Sequence, residues 1–96
     1  MPNVWTHSVW RIKPGREEEF VEAWGALVPV GQSFGGGDPK LLRDREEPNV
    51  FISVGPWPDL DAIERFRAEL APRAREMGEL VESLETSTLD EAYPAD

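Results

Sequence analysis

His7 and Ser8 sit next to each other in a strand-like run, Asn3 to Ile12, that also carries Trp5 and Trp10. His7 is the chain's one histidine, the side chain that ordinarily titrates near neutrality, which makes it a candidate general base. Ser8 offers a small hydroxyl that can donate or accept a hydrogen bond. Strand alternation sends the two to opposite faces, so one pocket can use only one of them. Ser8 shares its face with Trp10, and His7 shares the other with Trp5, Val9 and Arg11. There is no cysteine, so thiolate chemistry, disulfides and Cys-based zinc sites are excluded. One histidine cannot build a multi-histidine metal site, and no bound metal or cofactor is expected. Gly35-Gly36-Gly37 leads into Asp38-Pro39-Lys40 and a strand. A nucleotide loop would lead into a helix N-terminus, so these glycines read as a pocket lid or a plain connection.

The elements that must position these groups follow from pattern. Pro14-Gly15 ends the first strand, and a helix is expected with Gly15 as N-cap, Glu17, Glu18 and Glu19 in its first turn, and Phe20, Trp24, Leu27 and Val28 as its buried stripe. Pro29 and Gly31 should end it. Lys40 to Arg45 and Val50 to Trp57 read as a hairpin across Glu46-Glu47-Pro48-Asn49. Asp59 is a good N-cap for a second helix bearing Leu60, Ile63, Phe66 and Leu70, with Asp61–Arg65 and Glu69–Arg73 in favourable acid-first order. Pro72 should stop or kink that helix. Ala74 to Leu84 regains helical character, Glu85 to Ala92 reads as a last strand, and residues 93–96 as a loose tail. Two strand-then-helix units in 96 residues make one domain, 1–96, of α+β class: a split β-α-β sandwich. The first strand carries large apolar groups on both faces and therefore needs two covers.

Ten Lys and Arg against nineteen Asp and Glu give a net charge of −9. That field repels phosphate backbones and anionic lipid, so neither nucleic acid nor membrane is an expected partner. No run approaches the roughly twenty apolar residues of a membrane span, and Met1-Pro2-Asn3 lacks the layout of a secretory signal. A cytoplasmic protein is expected.

The segments V-W-R-I-K-P-G-R-E-E-E-F, K-L-L-R-D-R-E-E-P-N-V-F-I-S-V-G-P-W-P-D-L-D-A-I-E-R-F-R and L-E-T-S-T-L-D-E-A together resemble the antibiotic biosynthesis monooxygenase family of dimeric α+β barrels. The resemblance implies a ferredoxin-like protomer with a four-stranded antiparallel sheet, helices on one face and a second protomer's sheet on the other. That supplies the two covers the first strand needs. It also implies a homodimer and, for one branch, oxidation of small aromatic polyketide or quinol-like substrates with no cofactor. In that branch the electron-rich substrate itself reduces dioxygen, and the protein supplies a dry pocket, aromatic walls and a polar group.

On that reading Ser8 or Arg43 would hydrogen-bond a substrate oxygen, His7 is the outside candidate for base, and Trp10, Trp24, Phe34 and Phe66 would hold the substrate. Four tryptophans are many for 96 residues, and indoles stack well on flat rings. The same aromatics also serve as ordinary core filling, and Trp57 matches a packing position of the family. The haem-degrading branch resembles itself in a strand-one asparagine, a helix-two tryptophan and an iron-ligating histidine; this chain has Ser8, Phe66 and Glu76 there and departs at all three. The alternative to a monooxygenase is a non-catalytic homodimer that binds a small molecule or accompanies a biosynthetic pathway. An open cavity between sheet and helices would favour catalysis, a filled core the alternative.

Overall fold

Pro14 and Gly15 turn the chain for separate reasons: proline cannot extend the strand ladder, and Gly15 adopts φ +89°, a left-handed conformation that disfavours other side chains. The computed structural model describes residues 3–93. Its elements are β1 (Val4–Ile12), α1 (Glu17–Ser33), β2 (Lys40–Arg43), β3 (Val50–Trp57), α2 (Leu60–Leu70), a 3₁₀ turn (Ala71–Arg73), α3 (Ala74–Gly78) and β4 (Val81–Asp90). The strands form one antiparallel sheet in the order β2-β3-β1-β4. With both long helices on one face, this is a ferredoxin-like α+β fold.

Several boundaries differ from the sequence expectation. The α1 N-cap is Arg16, not Gly15; the Gly15 amide instead donates to Glu17 Oε1 at 2.8 Å. Pro29 lies inside α1, which runs one further turn. Proline there removes one amide donor, but Gly31 in the next turn packs against the Trp57 and Phe66 rings, so tertiary contact holds the helix. β2 ends at Arg43 because Asp44 Oδ1 accepts the amides of Glu46 and Glu47 at 2.8 and 2.9 Å, starting the turn early. Asp59 caps α2 as expected, its Oδ1 accepting from Ala62 N at 2.8 Å. Asp61 and Arg65 pair at 3.0 Å. Glu69 and Arg73 make no ion pair among the described residues, since Arg73 falls in the 3₁₀ turn where the α-helical offset is lost.

The largest correction concerns the last third of the chain. Helical character was expected through Leu84, but α3 stops at Gly78 and Val81–Asp90 forms the edge strand β4. Ladder pairing with β1 prevails over helical periodicity: Leu84 stands opposite Trp10, and Val81 opposite Ile12 across an irregularity at Arg11/Ile12. Tyr93 is 89% exposed; the remainder of the expected tail, residues 94–96, lies outside the described residues.

The core is divided. Ile12, Phe20, Phe51 and Leu80 form one buried cluster with Trp10 and Trp24 packed against it. Trp57, Ala62 and Ile63 form another, joined by Val4, Phe34 and Phe66. Both use the even-numbered face of β1. The odd-numbered face has no helix over it. Leu42 and Leu89, which register places there with Val9, Ile52 and Trp5, are 52% and 47% exposed.

Candidate functional site

Between the two clusters lies a cavity of about 260 Å³. Its walls are apolar: Trp10, Trp24, Trp57 and Phe66, with Leu27, Val28, Ile63 and Leu70 from the helices. Trp57 is fixed at one end by glycines. A side chain at Gly31 or Gly36 would meet its ring at 3.3 Å, and the Gly36 and Gly37 amides donate to Gly31 O and Pro56 O at 3.1 and 3.0 Å. The glycine-rich loop is thus a seat for Trp57 and part of the cavity wall, packed rather than poised as a lid.

The floor is polar, and strand register makes it so. Ser8 stands opposite Ser53 on one side and Thr86 on the other, which lays three hydroxyls across β3, β1 and β4. At the usual strand spacing such a row is about 10 Å long. Thr6 lies two residues along β1 on the same face. Each hydroxyl oxygen is engaged: Trp10 Nε1 donates to Ser53 Oγ at 2.9 Å, Trp57 Nε1 donates to Thr6 Oγ1 at 3.1 Å, and Ser8 Oγ and Thr86 Oγ1 share a bond of 3.1 Å. An indole can only donate, so Thr6 and Ser53 accept and keep their own protons for another partner. The Ser8–Thr86 pair uses one proton and leaves one. The floor therefore presents three hydroxyl donors to whatever occupies the cavity.

The structure brings Ser8, Trp10, Trp24 and Phe66 together around this space. Three other expected site residues stand elsewhere. His7 is on the opposite face of β1, between Val54 and Ser87, and does not line the cavity. Arg43 spends its donors at the hairpin, with Nε on Pro48 O at 2.7 Å, Nη1 3.7 Å from Glu18, and its guanidinium 5.0 Å from the Phe51 ring centroid. Phe34 packs edge-on against Phe66 at 6.4 Å, behind the wall. The sequence reading missed Thr6, Ser53, Thr86 and Arg67. Thr6 was legible from parity with Ser8. Ser53 and Thr86 needed the strand register, and Arg67 needed the pose of α2.

Ionised groups are scarce at the site. Among the described residues Arg67 is the one ionisable side chain lining the cavity, and Gln32 adds an amide whose Nε2 donates to Asp38 at 3.2 Å. The perturbed groups are on the surface. Glu19 is held below its ordinary carboxylate range by a hydrogen bond from Arg16, and Asp44 by the amides of Glu47 and Glu46. Among the described residues no three His, Cys, Asp or Glu side chains gather as a metal-holding group, and no helix is long and apolar enough to cross a membrane. Leu84 and Thr86, both exposed, mark the cavity's open side along β4.

Residues 6–85 match the model of the antibiotic biosynthesis monooxygenase family. The chain belongs to that family. Antibiotic biosynthesis monooxygenase-type folds also recur among solved structures. SnoaB from Streptomyces nogalater, a cofactor-independent oxygenase, is 21% identical with a TM-score of 0.82, over 98% of this chain and 99% of that one. Protein SO0527 from Shewanella oneidensis is 24% identical with a TM-score of 0.81, over 94% and 91%. PA3566 from Pseudomonas aeruginosa is 20% identical with a TM-score of 0.81, over 95% of each chain. At these identities the likeness is one of fold. No curated protein sequence matches the chain.

Proposed function

We propose that this member of the antibiotic biosynthesis monooxygenase family is a cofactor-independent monooxygenase acting on a small aromatic, polyketide-like or quinol-like substrate. The observation that carries the reading is the cavity of about 260 Å³, walled by three indoles and floored by hydroxyl donors. Aromatic walls suit a flat ring system. Donors that need no reorganisation suit an oxygen on which negative charge grows as the substrate ionises. In such a reaction the ring methylene of an anthrone-type substrate becomes a carbonyl while one dioxygen oxygen leaves as water. The substrate supplies all four electrons, so no external reductant is required. Ser8, Ser53 and Thr6 hold the substrate oxygen, and Trp10, Trp24, Trp57 and Phe66 orient the ring and exclude water.

The open sheet face supports a second part of the reading, that two copies pair sheet to sheet as a homodimer. Trp5, Val9, Ile52, Leu42 and Leu89 would otherwise leave a contiguous apolar surface in water.

Oxygen uptake by the purified protein with an anthrone-type dihydroxyaromatic, without flavin, nicotinamide or iron and with chelator present, tests the chemistry. Substrate-dependent uptake is expected. The absence of an ordinary base from the lining favours the other reading, a small-molecule-binding dimer, and tight ligand binding with no oxygen uptake across a panel of such compounds would establish that one instead.

A further inference from the structure

Arg67 stands out in a molecule of net charge −9. Among the described residues it is the sole ionisable side chain lining the cavity, and no carboxylate lies within 4.0 Å of it. Arg11, Arg16, Arg43 and Arg65 each have an acidic partner within that distance; Arg45, Arg73 and Arg75, like Arg67, have none among the described residues, but of these four Arg67 alone lines the cavity. Glu64, three residues earlier on α2, occupies an offset that allows pairing, yet leaves Arg67 unpaired. Placement in the last turn of α2 suits a cation to the negative end of the helix. That accounts for a basic residue there, but not for a side chain that borders the cavity.

The hydroxyl floor points the same way. Its Thr6 and Ser53 oxygens are already accepting from indoles, so what remains is donor capacity. A cavity that offers a guanidinium and three O–H donors, with no carboxylate and no imidazole, complements a ligand that is rich in acceptors and itself negatively charged. Since no lining side chain is an ordinary base, a substrate that arrives ionised also removes the need for one.

Resting on the aromatic-cavity reading above, we propose that Arg67 selects the anionic form of the ligand: a flat aromatic whose ionised enol, phenol or carboxylate oxygen pairs with the guanidinium at the cavity rim while its neutral carbonyl oxygens lie on the Ser53–Ser8–Thr86 row. The overall field of the protein opposes an anion, so any preference for one must come from this local cation.

Three indoles line the cavity, so quenching of tryptophan fluorescence reports binding independently of any turnover. The probes are 2-hydroxy-1,4-naphthoquinone, ionised at neutral pH, and its neutral 2-methoxy ether, which keeps the rings and both carbonyls. The native protein is expected to bind the hydroxyquinone at least about tenfold more tightly, a difference of about 1.4 kcal/mol. Arg67→Gln should bring the two affinities within about twofold, the loss falling mainly on the hydroxyquinone, and Arg67→Lys should retain most of the preference. Equal affinities in the native protein, or a preference that survives Arg67→Gln, would overturn the assignment to Arg67 and leave the aromatic cavity standing. Failure of both quinones to quench would overturn the cavity reading and this inference together.

Discussion

The Trp10 indole donates from β1 to Ser53 Oγ on β3 at 2.9 Å, although the two residues are 43 positions apart and not directly opposed. One bond thereby satisfies a part-buried N–H, fixes an aromatic wall and leaves the serine its own proton to donate. Ser53→Ala should therefore fail in two ways. Stability should fall by about 1–3 kcal/mol, because the Trp10 N–H loses its partner, and ligand affinity should fall with it. Urea unfolding monitored by circular dichroism, alongside fluorescence titration, separates the two effects.

Ser8→Ala should behave differently. The Ser8 partner, Thr86, is exposed and can turn to solvent, so the stability cost should stay within about 1 kcal/mol. Oxygen uptake with an anthrone-type substrate should fall by at least about tenfold if the row steadies an oxyanion. An unchanged rate in a stable variant would remove the serine from the reaction.

Two glycines make opposite predictions. Gly25 lies in the interior of α1 with nothing within 4 Å of an added Cβ, so Gly25→Ala should stabilise by about 0.5–1 kcal/mol through helix propensity. At Gly37 an added Cβ would lie 2.8 Å from Pro56 Cγ, and Gly37→Ala should cost about 1–3 kcal/mol as the Trp57 seat shifts. Thermal melts of the pair, measured side by side, check both signs.

Val9→Asp should abolish assembly. On the open face of the sheet the aspartate would be an unpaired charge buried between two protomers. Sedimentation should show a dimer for the native chain and a monomer or aggregate for the variant. A native chain that sediments as a stable folded monomer at micromolar concentration would remove the sheet-to-sheet pairing.

Acid should weaken the fold in part through Asp44. Its carboxylate accepts the amides of Glu47 and Glu46, so its folded pKa lies below its ordinary value near 3.8. The unfolded chain then binds the proton more readily, and stability rises with pH. The contribution is present above the ordinary value and is lost as pH falls through the lowered one. Urea midpoints measured from neutrality down to about pH 2 should fall less steeply for Asp44→Ala than for the native chain.

The amino-acid pattern alone determined the class of fold. Pro14-Gly15, the Asp59 cap, the strand-like run Val50 to Trp57 and the stripe Phe20-Trp24-Leu27-Val28 are local signals whose physics is complete within one element, and each reappears in the structure. Strand parity alone likewise separates Ser8 and Trp10 from His7. What only the tertiary structure decided is which residues meet. Ser53 and Thr86 join Ser8 because three strands fall into a particular register, and register depends on every pair in the ladder at once. Pairing with β1 also drew Val81 to Leu84 out of a helical pattern, since it covers the β1 edge that would otherwise stand unpaired and sets Leu84 opposite Trp10. Arg67 borders the cavity because Ile63 and Phe66 of α2 pack with Trp57, and Arg43 does not because Pro48 O and the Phe51 ring hold it at the hairpin; both are properties of the assembled core rather than of any stretch of chain.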